Sequence, residues 1–314
     1  MDWFGAGIGG PLAVIRAAQF AATSIITGTL LFRVLVLEAA TASVASLVRT
    51  KTLHIAWIGL AVSAASGVIW LLLEAASMSG LPLREAVTPG VLSTVMNETQ
   101  FGFVSEIRVA MALMVAVGLA CDRFLPARGL ALVSSLGLIA ALAWTGHAGS
   151  TPGAAGNLHL AADIFHLFAA AAWIGGLASL VVLLSAARHD RSIAGASFAR
   201  AATQRFSTIG IASVIVVFAT GMINAWILVG SWHGLIATGY GQLLMLKMAL
   251  FAVMILIAAV NRFWLTPRIG SPPAGELSAL RRLTRNSLIE IALALLIFAI
   301  VGMLGTLHPA VHNL

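Results

Sequence analysis

Eight stretches of mostly apolar residues, each long enough to cross a lipid bilayer as a helix, follow one another along the chain. About 20 residues of α-helix cross the hydrocarbon core of a membrane, so these stretches limit the possible folds more than any other feature. Turn sequences such as SGLPL, STPGAAGN and GSPPAGE separate them. The predicted spans cover residues 11–37, 54–76, 101–120, 129–146, 158–186, 206–230, 241–261 and 286–306.

Composition supports the same fold class. The 314 residues are 60% hydrophobic and 9% charged, with a mean hydropathy of +1.00, which excludes a soluble globular domain. The single cysteine, Cys121, excludes a disulfide framework and a CxxC metal site. The opening MDWFGAGIGGPL has neither a basic segment nor a small-residue cleavage site, so we expect the first helix to remain in the mature protein. We predict an all-α integral membrane protein with eight transmembrane helices.

Basic residues gather in alternate loops and predict the orientation of the chain. Of the 18 Lys and Arg residues, 13 fall between spans 1 and 2, 3 and 4, 5 and 6, or 7 and 8, whereas the opposite loops hold only Arg84. Loops rich in Lys and Arg stay in the cytoplasm. Both termini are therefore predicted to lie outside, and the net charge of +7 needs no nucleic-acid partner to explain it.

Most of the histidines fall on the predicted outer side, where fixed cations are scarce. Neutral imidazole is a common metal ligand, and a side with few cations does not repel a metal ion. The tail TLHPAVHNL carries two histidines that are candidates for first contact with the ion. The six outer histidines are His147, His159, His166, His233, His308 and His312.

Three polar residues share one face at the start of the fifth span. His159, Asp163 and His166 are spaced i, i+4 and i+7, and Trp173 continues the same face. An aspartate inside a membrane costs about 2.5–3.5 kcal/mol, so a partner is expected. The two histidines are about 10 Å apart along the helix, which suits one metal site completed by other helices or a ladder of sites. The alternative is that Asp163 pairs with an arginine and the histidines cap helix ends near water.

A repeated pattern indicates two parallel four-helix repeats. The third span begins TQFGFVSEIR (99–108) and the seventh TGYGQLLMLK (238–247). The spans before them also share similar segments, SGVIW (66–70) and TGMINAW (220–226). Since the members of each pair lie four spans apart, they cross the membrane in the same direction.

The repeat divides the single membrane domain, 1–314, into halves at 1–147 and 148–314. It also makes Arg108 and Lys247 equivalent basic residues, about two turns from the outer surface. We expect each to pair with a carboxylate, Glu106 or Asp163, although snorkelling and anion binding remain open.

Methionine supplies a softer kind of ligand. Thioethers suit Cu(I), but methionine is also ordinary filler in membrane helices. Met245 and Met248, one turn apart in the seventh span, are the best candidate pair.

The second half resembles the copper resistance protein D (CopD) family over about 200–305. The resemblance rests on RFS (205–207), TGMINAW, TGYGQLLMLK and NRFWLTP (261–267), with the helix 5 pattern and GHA (146–148) in support. It implies a bacterial inner-membrane protein that moves copper, Cu(I) or Cu(II), from the periplasm toward the cytoplasm. It also implies a small periplasmic copper-binding partner of the CopC type, which is fused to many relatives and is expected to be separate here.

These observations predict a copper transporter and not an enzyme. The candidate metal ligands are His159, Asp163, His166, His147, His308, His312, Met245 and Met248. No GxxxxGK[ST] motif is present, so we expect no nucleotide hydrolysis by this chain. Three alternatives remain: a haem-binding redox protein with paired histidine ligands, a proton-coupled transporter of another substrate with Asp163 as the proton carrier, and a membrane scaffold or sensor.

Overall fold

The computed structural model describes residues 9–37, 43–189, 193–269 and 273–313, and within these ranges the chain is helical without any strand. Eight helices are long and apolar enough to span a membrane, which confirms the predicted number. They are α1 (Gly9–Leu37), α2 (Ser43–Ser79), α3 (Gln100–Ala120), α4 (Leu125–Thr145), α5 (Gly153–His189), α6 (Ile193–Val229), α7 (Gly239–Arg268) and α8 (Pro273–Leu304).

Three predicted helix starts are wrong by more than two turns. The α2, α6 and α8 helices begin at Ser43, Ile193 and Pro273, not at residues 54, 206 and 286. Hydropathy detects only the apolar part of a helix, whereas arginine is a good helix former and extends these helices past their apolar part. Many basic residues predicted in loops, Arg49 and Arg281 among them, therefore lie on helical turns.

Successive helices run antiparallel, so every helix has one terminus at each end of the bundle. The two ends differ in chemical character. We call the end with Gly9 and Leu304 the terminal end and the other the arginine-rich end. At the arginine-rich end, Arg33 donates from Nη2 to both carboxylate oxygens of Asp122 at 2.6 Å, and from Nη1 to the carbonyl oxygen of Arg49 at 2.7 Å. This charge-assisted contact joins α1 to α2 and to the α3–α4 turn. Which end faces the cytoplasm stays a prediction from the charge pattern.

The centre of the bundle is the contact between α1 and α5. A Cβ atom at Gly28 would collide with the carbonyl oxygen of Ala171, and one at Gly175 with that of Ser24. The two backbones therefore touch directly, as glycines permit in membrane helices. Helices α2 and α4 pack on α1, α6 packs on α5, and α8 packs on both.

Helix α5 is not regular where it crosses α1. Residues Ala171–Gly175 form a π-helical turn, which holds one more residue than an α-helical turn. Trp173 lies in this turn, is buried, and packs edge-on against Phe251 of α7 with ring centroids 6.0 Å apart. A second π-helical turn, Asn261–Leu265, lies in α7.

The two predicted repeats share their helix-to-helix turns. Helices α2 and α6 each have 37 residues and are followed by Gly80 and Gly230, both at φ 69°. This left-handed conformation favours glycine. Short helices come next, Leu83–Ala86 and Pro89–Glu98 in the first half and Trp232–Ala237 in the second.

The next helix in each half begins at a threonine cap. The Thr99 side chain accepts a hydrogen bond from the Gly102 N–H, and the Thr238 side chain accepts one from the Gly241 N–H, both at 3.0 Å. These matched turns are what two parallel four-helix repeats would produce. The repeat itself stays a prediction.

Candidate functional site

The polar face of α5 points into the bundle and not toward the surrounding lipid. His159 is only 2% exposed, and Asp163 and His166 are half-buried against α6. This face is where membrane proteins keep functional polar groups. The described hydrogen-bond partner of Asp163 is an asparagine, so the arginine pair of the alternative interpretation is not found here.

His166 is held by a threonine of α6 through one ring nitrogen. Its Nδ1 lies 3.0 Å from the Thr220 hydroxyl, and that hydroxyl donates its own proton to the Val216 carbonyl oxygen at 2.6 Å. The hydroxyl must then accept from an Nδ1–H of His166. The free lone pair is therefore on Nε2, in the tautomer that metal-ligating histidines use.

His159 repeats this arrangement nearer the terminal end. Its Nδ1 lies 2.8 Å from the Thr151 hydroxyl, which donates to the carbonyl oxygen of His147 at 2.9 Å. The same reasoning leaves Nε2 of His159 with the free lone pair. The two histidines are thus fixed by separate threonines, at separate levels of the bundle.

Asp163 contacts a residue with an unused hydrogen-bond acceptor. Asn224 of α6 donates from Nδ2 to Oδ1 of Asp163 at 3.2 Å. The Oδ1 of Asn224 is buried and has no hydrogen-bond partner within the described part of the chain. Buried polar atoms are normally paired, so an unused amide oxygen beside a carboxylate is a free acceptor for a cation.

Helix α7 contributes a charge and a ring to the site. Lys247 lies close enough to Asp163 and His166 to interact electrostatically with both. Tyr240 is buried and packs edge-on against the His147 ring, with centroids 6.0 Å apart.

The predicted ion pairs of the two equivalent basic residues differ in outcome. Lys247 interacts electrostatically with Asp163, but the two form no ion pair within 4 Å in the described part of the chain. Arg108, in contrast, lies over the Trp70 ring at 5.1 Å from its centroid and forms no ion pair with Glu106 or Asp163. The aromatic face satisfies part of the guanidinium in place of a carboxylate.

A cavity of about 470 Å³ opens at the terminal end, above the α5 site. His147 and exposed His308 line it, together with Thr151 and Thr306. The Nε2 of His147 lies 3.2 Å from the Leu304 carbonyl oxygen. Two of the predicted ligands thus line one opening at the terminal end.

The remaining candidate ligands are His312, Met245 and Met248. The side chain of His312 lies outside the described residues. Met245 is partly buried, and Met248 is 52% exposed on the flank of the bundle. Within the described ranges, no three His, Cys, Asp or Glu side chains form a ready-made metal cluster.

Sequence analysis missed three contributors to the site. Asn224, Thr220 and Tyr240 lie in the segments TGMINAW and TGYGQLLMLK, which the repeat had already singled out. Their polar side chains within apolar helices were the available signal, but only the packing of α6 and α7 on α5 shows what they face.

The chain matches known proteins along most of its length. Residues 200–304 match the family profile "Copper resistance protein D", and residues 8–157 match "Copper resistance protein D-like, N-terminal domain". Copper resistance protein D of Pseudomonas syringae pv. tomato is 30% identical over 247 residues, which cover 77% of this chain and 79% of that protein. The chain belongs to the copper resistance protein D family. The resemblance inferred from sequence motifs is confirmed.

Two further relatives extend the comparison. Inner membrane protein YebZ of Escherichia coli (strain K12) is 30% identical over 77% of this chain and 82% of its own length. Copper transport protein CutJ of Bacillus subtilis (strain 168) is 29% identical over 79% of this chain but only 46% of its own length. No solved structure matches the chain. The relatives and the eight apolar helices make this a multi-pass inner-membrane protein of a copper resistance and transport family.

Proposed function

We propose that the chain moves copper ions from the periplasm toward the cytoplasm, through a path that enters at the terminal end and passes along α5. The orientation follows from the charge pattern of the loops, and copper follows from the family. His159, Asp163 and His166 are the ligands that we assign to the path.

The observation that carries the proposal is the group of free donor atoms around Asp163. The carboxylate, the free Oδ1 of Asn224 and the Nε2 lone pair of His166 belong to adjacent turns of α5 and α6. Imidazole with oxygen ligands suits Cu(II), whereas Cu(I) would need the thioether of Met245 as well. Lys247 supplies a counter-charge to Asp163 while the site is empty, and it limits how tightly a cation binds.

The separation of the two histidines suits a relay. Because each is fixed by its own threonine about 10 Å apart along α5, they act as successive stations and not as joint ligands of one ion. An ion held by few ligands at each level is released more easily to the next.

The terminal cavity is the proposed entrance. His147 and His308 take up the ion there, with His312 of the same tail as a further ligand. A separate periplasmic copper-binding protein of the CopC type is the proposed donor.

The test measures copper uptake by liposomes that contain the purified chain. His159→Ala, Asp163→Asn and His166→Ala are each expected to lower uptake by about 10- to 100-fold. The matched control is His54→Ala, which removes an exposed histidine near the arginine-rich end of α2.

Unchanged uptake in all three α5 variants would contradict the proposal. A visible absorption band in the purified protein would instead favour the haem-binding alternative. Transport of another ion with no response to copper would favour a different substrate.

A further inference from the structure

A second membrane carboxylate lies outside the group of copper ligands proposed above. Glu290 of α8 is 2% exposed. Asn261 of α7 donates from Nδ2 to its Oε1 at 2.8 Å, and Trp173 on α5 lines the same cavity as this carboxylate. Asn286 donates in turn to Oδ1 of Asn261 at 2.8 Å, which fixes the amide orientation.

A partly open cavity adjoins this carboxylate. A cavity of about 240 Å³ lies among α5, α6, α7 and α8, and Glu290, Ser287 and Trp173 line it. The Oγ of Ser287 is fully buried and has no hydrogen-bond partner in the described ranges. The lining is largely apolar, but the volume admits water, and the unused hydroxyl and the carboxylate give that water polar partners.

Glu290 forms no ion pair with any basic side chain in the described ranges. Arg262 is the other charged side chain that lines the cavity, and it donates to the Ser207 hydroxyl at 2.7 Å. Both ion pairs found among the described residues belong to Asp122, at the end of α3. An ionised carboxylate buried without a partner is costly, so Glu290 must bind a cation, the smallest of which is a proton.

The chemistry of the lining favours a proton over copper. Among the described lining residues the polar atoms are oxygens, amides, the indole and a guanidinium, with no His, Cys or Met. Cu(I) prefers sulfur and imidazole, and Cu(II) prefers nitrogen with oxygen. With Oε1 engaged by Asn261, the second carboxylate oxygen can carry the proton.

We propose that Glu290 is a proton-binding station, which exchanges its proton with water in this cavity during copper movement. The proton leaves the carboxylic acid as the carboxylate forms, and it returns from the same water. Trp173 links this station to the copper path, because it lies ten residues after Asp163 on α5, about 15 Å along the helix. The coupling rests on the proposed copper function, whereas the protonation itself does not.

The first test records infrared difference spectra of the full chain in lipid during a pH titration. A band from a protonated carboxylic acid is expected, and Glu290→Gln should remove it. Glu290→Asp should retain it, which shows that the loss in the Gln variant is not misfolding. The matched control Glu276→Gln, at the start of α8, should keep the band. A band that persists in Glu290→Gln, or one displaced by sodium at constant pH, would overturn the proposal.

The second test separates the station from the copper site. Copper uptake should respond to an imposed pH gradient by at least about fivefold, and Glu290→Gln should abolish that response while equilibrium copper binding is unchanged. A full response in the variant would overturn the coupling. Copper binding that is unaffected by Asp163→Asn would defeat the proposed copper site, and the infrared result would still stand.

Discussion

Each half of the chain holds a polar cluster, at positions that the predicted repeat would match, and these clusters differ in charge. In each, a hydroxyl of the second helix contacts a polar side chain of the first: Ser66 donates to Gln19 at 2.5 Å, and Thr220 accepts from His166 at 3.0 Å. We define the first-half cluster as Arg16, Gln19, Ser66, Trp70 and Arg108, and the second-half cluster as Asp163, His166, Thr220, Asn224 and Lys247.

The first-half cluster is built around cations. Arg16 and Arg108 both lie over the Trp70 ring at 5.1 Å, while the Trp70 indole donates to Glu74 at 2.9 Å. The Nε atoms of both arginines are buried without a described partner. Two fixed positive charges would repel a metal ion, so this cluster fits a structural role.

The second-half cluster has the opposite character. Asp163 and His166 stand where the first half has Arg16 and Gln19, if the repeat is aligned on the contact between α1 and α5. One carboxylate and one imidazole then face a single lysine. Similar helices can therefore support either aromatic packing or cation binding, depending on the side chains along one face.

The largest expected effect is on stability. Trp70→Ala removes a fully buried ring and the support of two guanidinium groups, so we expect a loss of about 3–5 kcal/mol in the free energy of unfolding. Asn224→Ala, at the matching position, should cost well under half of that and lower copper binding instead. Unfolding in detergent, with copper titration of each folded variant, measures both. Equal losses of stability in the two variants would contradict the difference in role between the two clusters.

The next effect is on copper affinity and is expected only in the second-half cluster. Lys247→Met removes the cation that interacts with Asp163, so copper affinity should rise by about five- to tenfold. Arg108→Met should leave affinity within about twofold, since Arg108 contacts Trp70. Equilibrium binding at one pH and salt concentration measures the ratio, and a lower affinity in Lys247→Met would show that Lys247 does not oppose the ion.

A smaller effect should be the same in both halves. Thr99→Ala and Thr238→Ala each remove a helix cap of the same geometry, so each should cost about 1 kcal/mol of unfolding free energy. The measurement is the same detergent unfolding curve. A difference of more than about 1 kcal/mol between the two variants would show that the two caps do not contribute equally to stability.

The smallest effect is expected at the glycines that face the two clusters. A Cβ at Gly67 would lie 3.7 Å from the Gln19 Oε1, and one at Gly221 would lie 3.5 Å from the His166 Cε1, both ordinary contacts. Either glycine-to-alanine change should therefore stabilise its helix by about 0.5–1 kcal/mol. Thermal unfolding tests this. If Gly221→Ala alone also abolished copper binding, the ion would have to approach the backbone at that point.

The sequence predicted the eight spans because long apolar runs have few other folds available. It predicted the α5 face because a spacing of i, i+4 and i+7 fixes a common direction on a helix. The partners Asn224 and Thr220 were not predicted, since they depend on how α6 packs against α5. The site assignment itself awaits the uptake experiment.

The wrong helix starts and the overlooked Glu290 each have a physical reason. The helix starts at the arginine-rich end were wrong because helical hydrogen bonding continues where hydropathy falls. Glu290 was overlooked although it interrupts the apolar run SLIEIALALL. A carboxylate inside a membrane is as costly at Glu290 as at Asp163, so the same reasoning would have predicted a functional role for Glu290.

The π-helical turn at Ala171–Gly175 makes the spacing between the copper path and the proton station sensitive to chain length. Deleting one alanine there would restore a regular α-helical turn, because a π-helical turn holds one residue more, and it would change where the remaining residues of the turn point relative to His166. Trp173 would then turn away from Glu290 while the residues before the turn kept their places. Length variation in this family should accordingly accumulate in the loops and avoid these five residues.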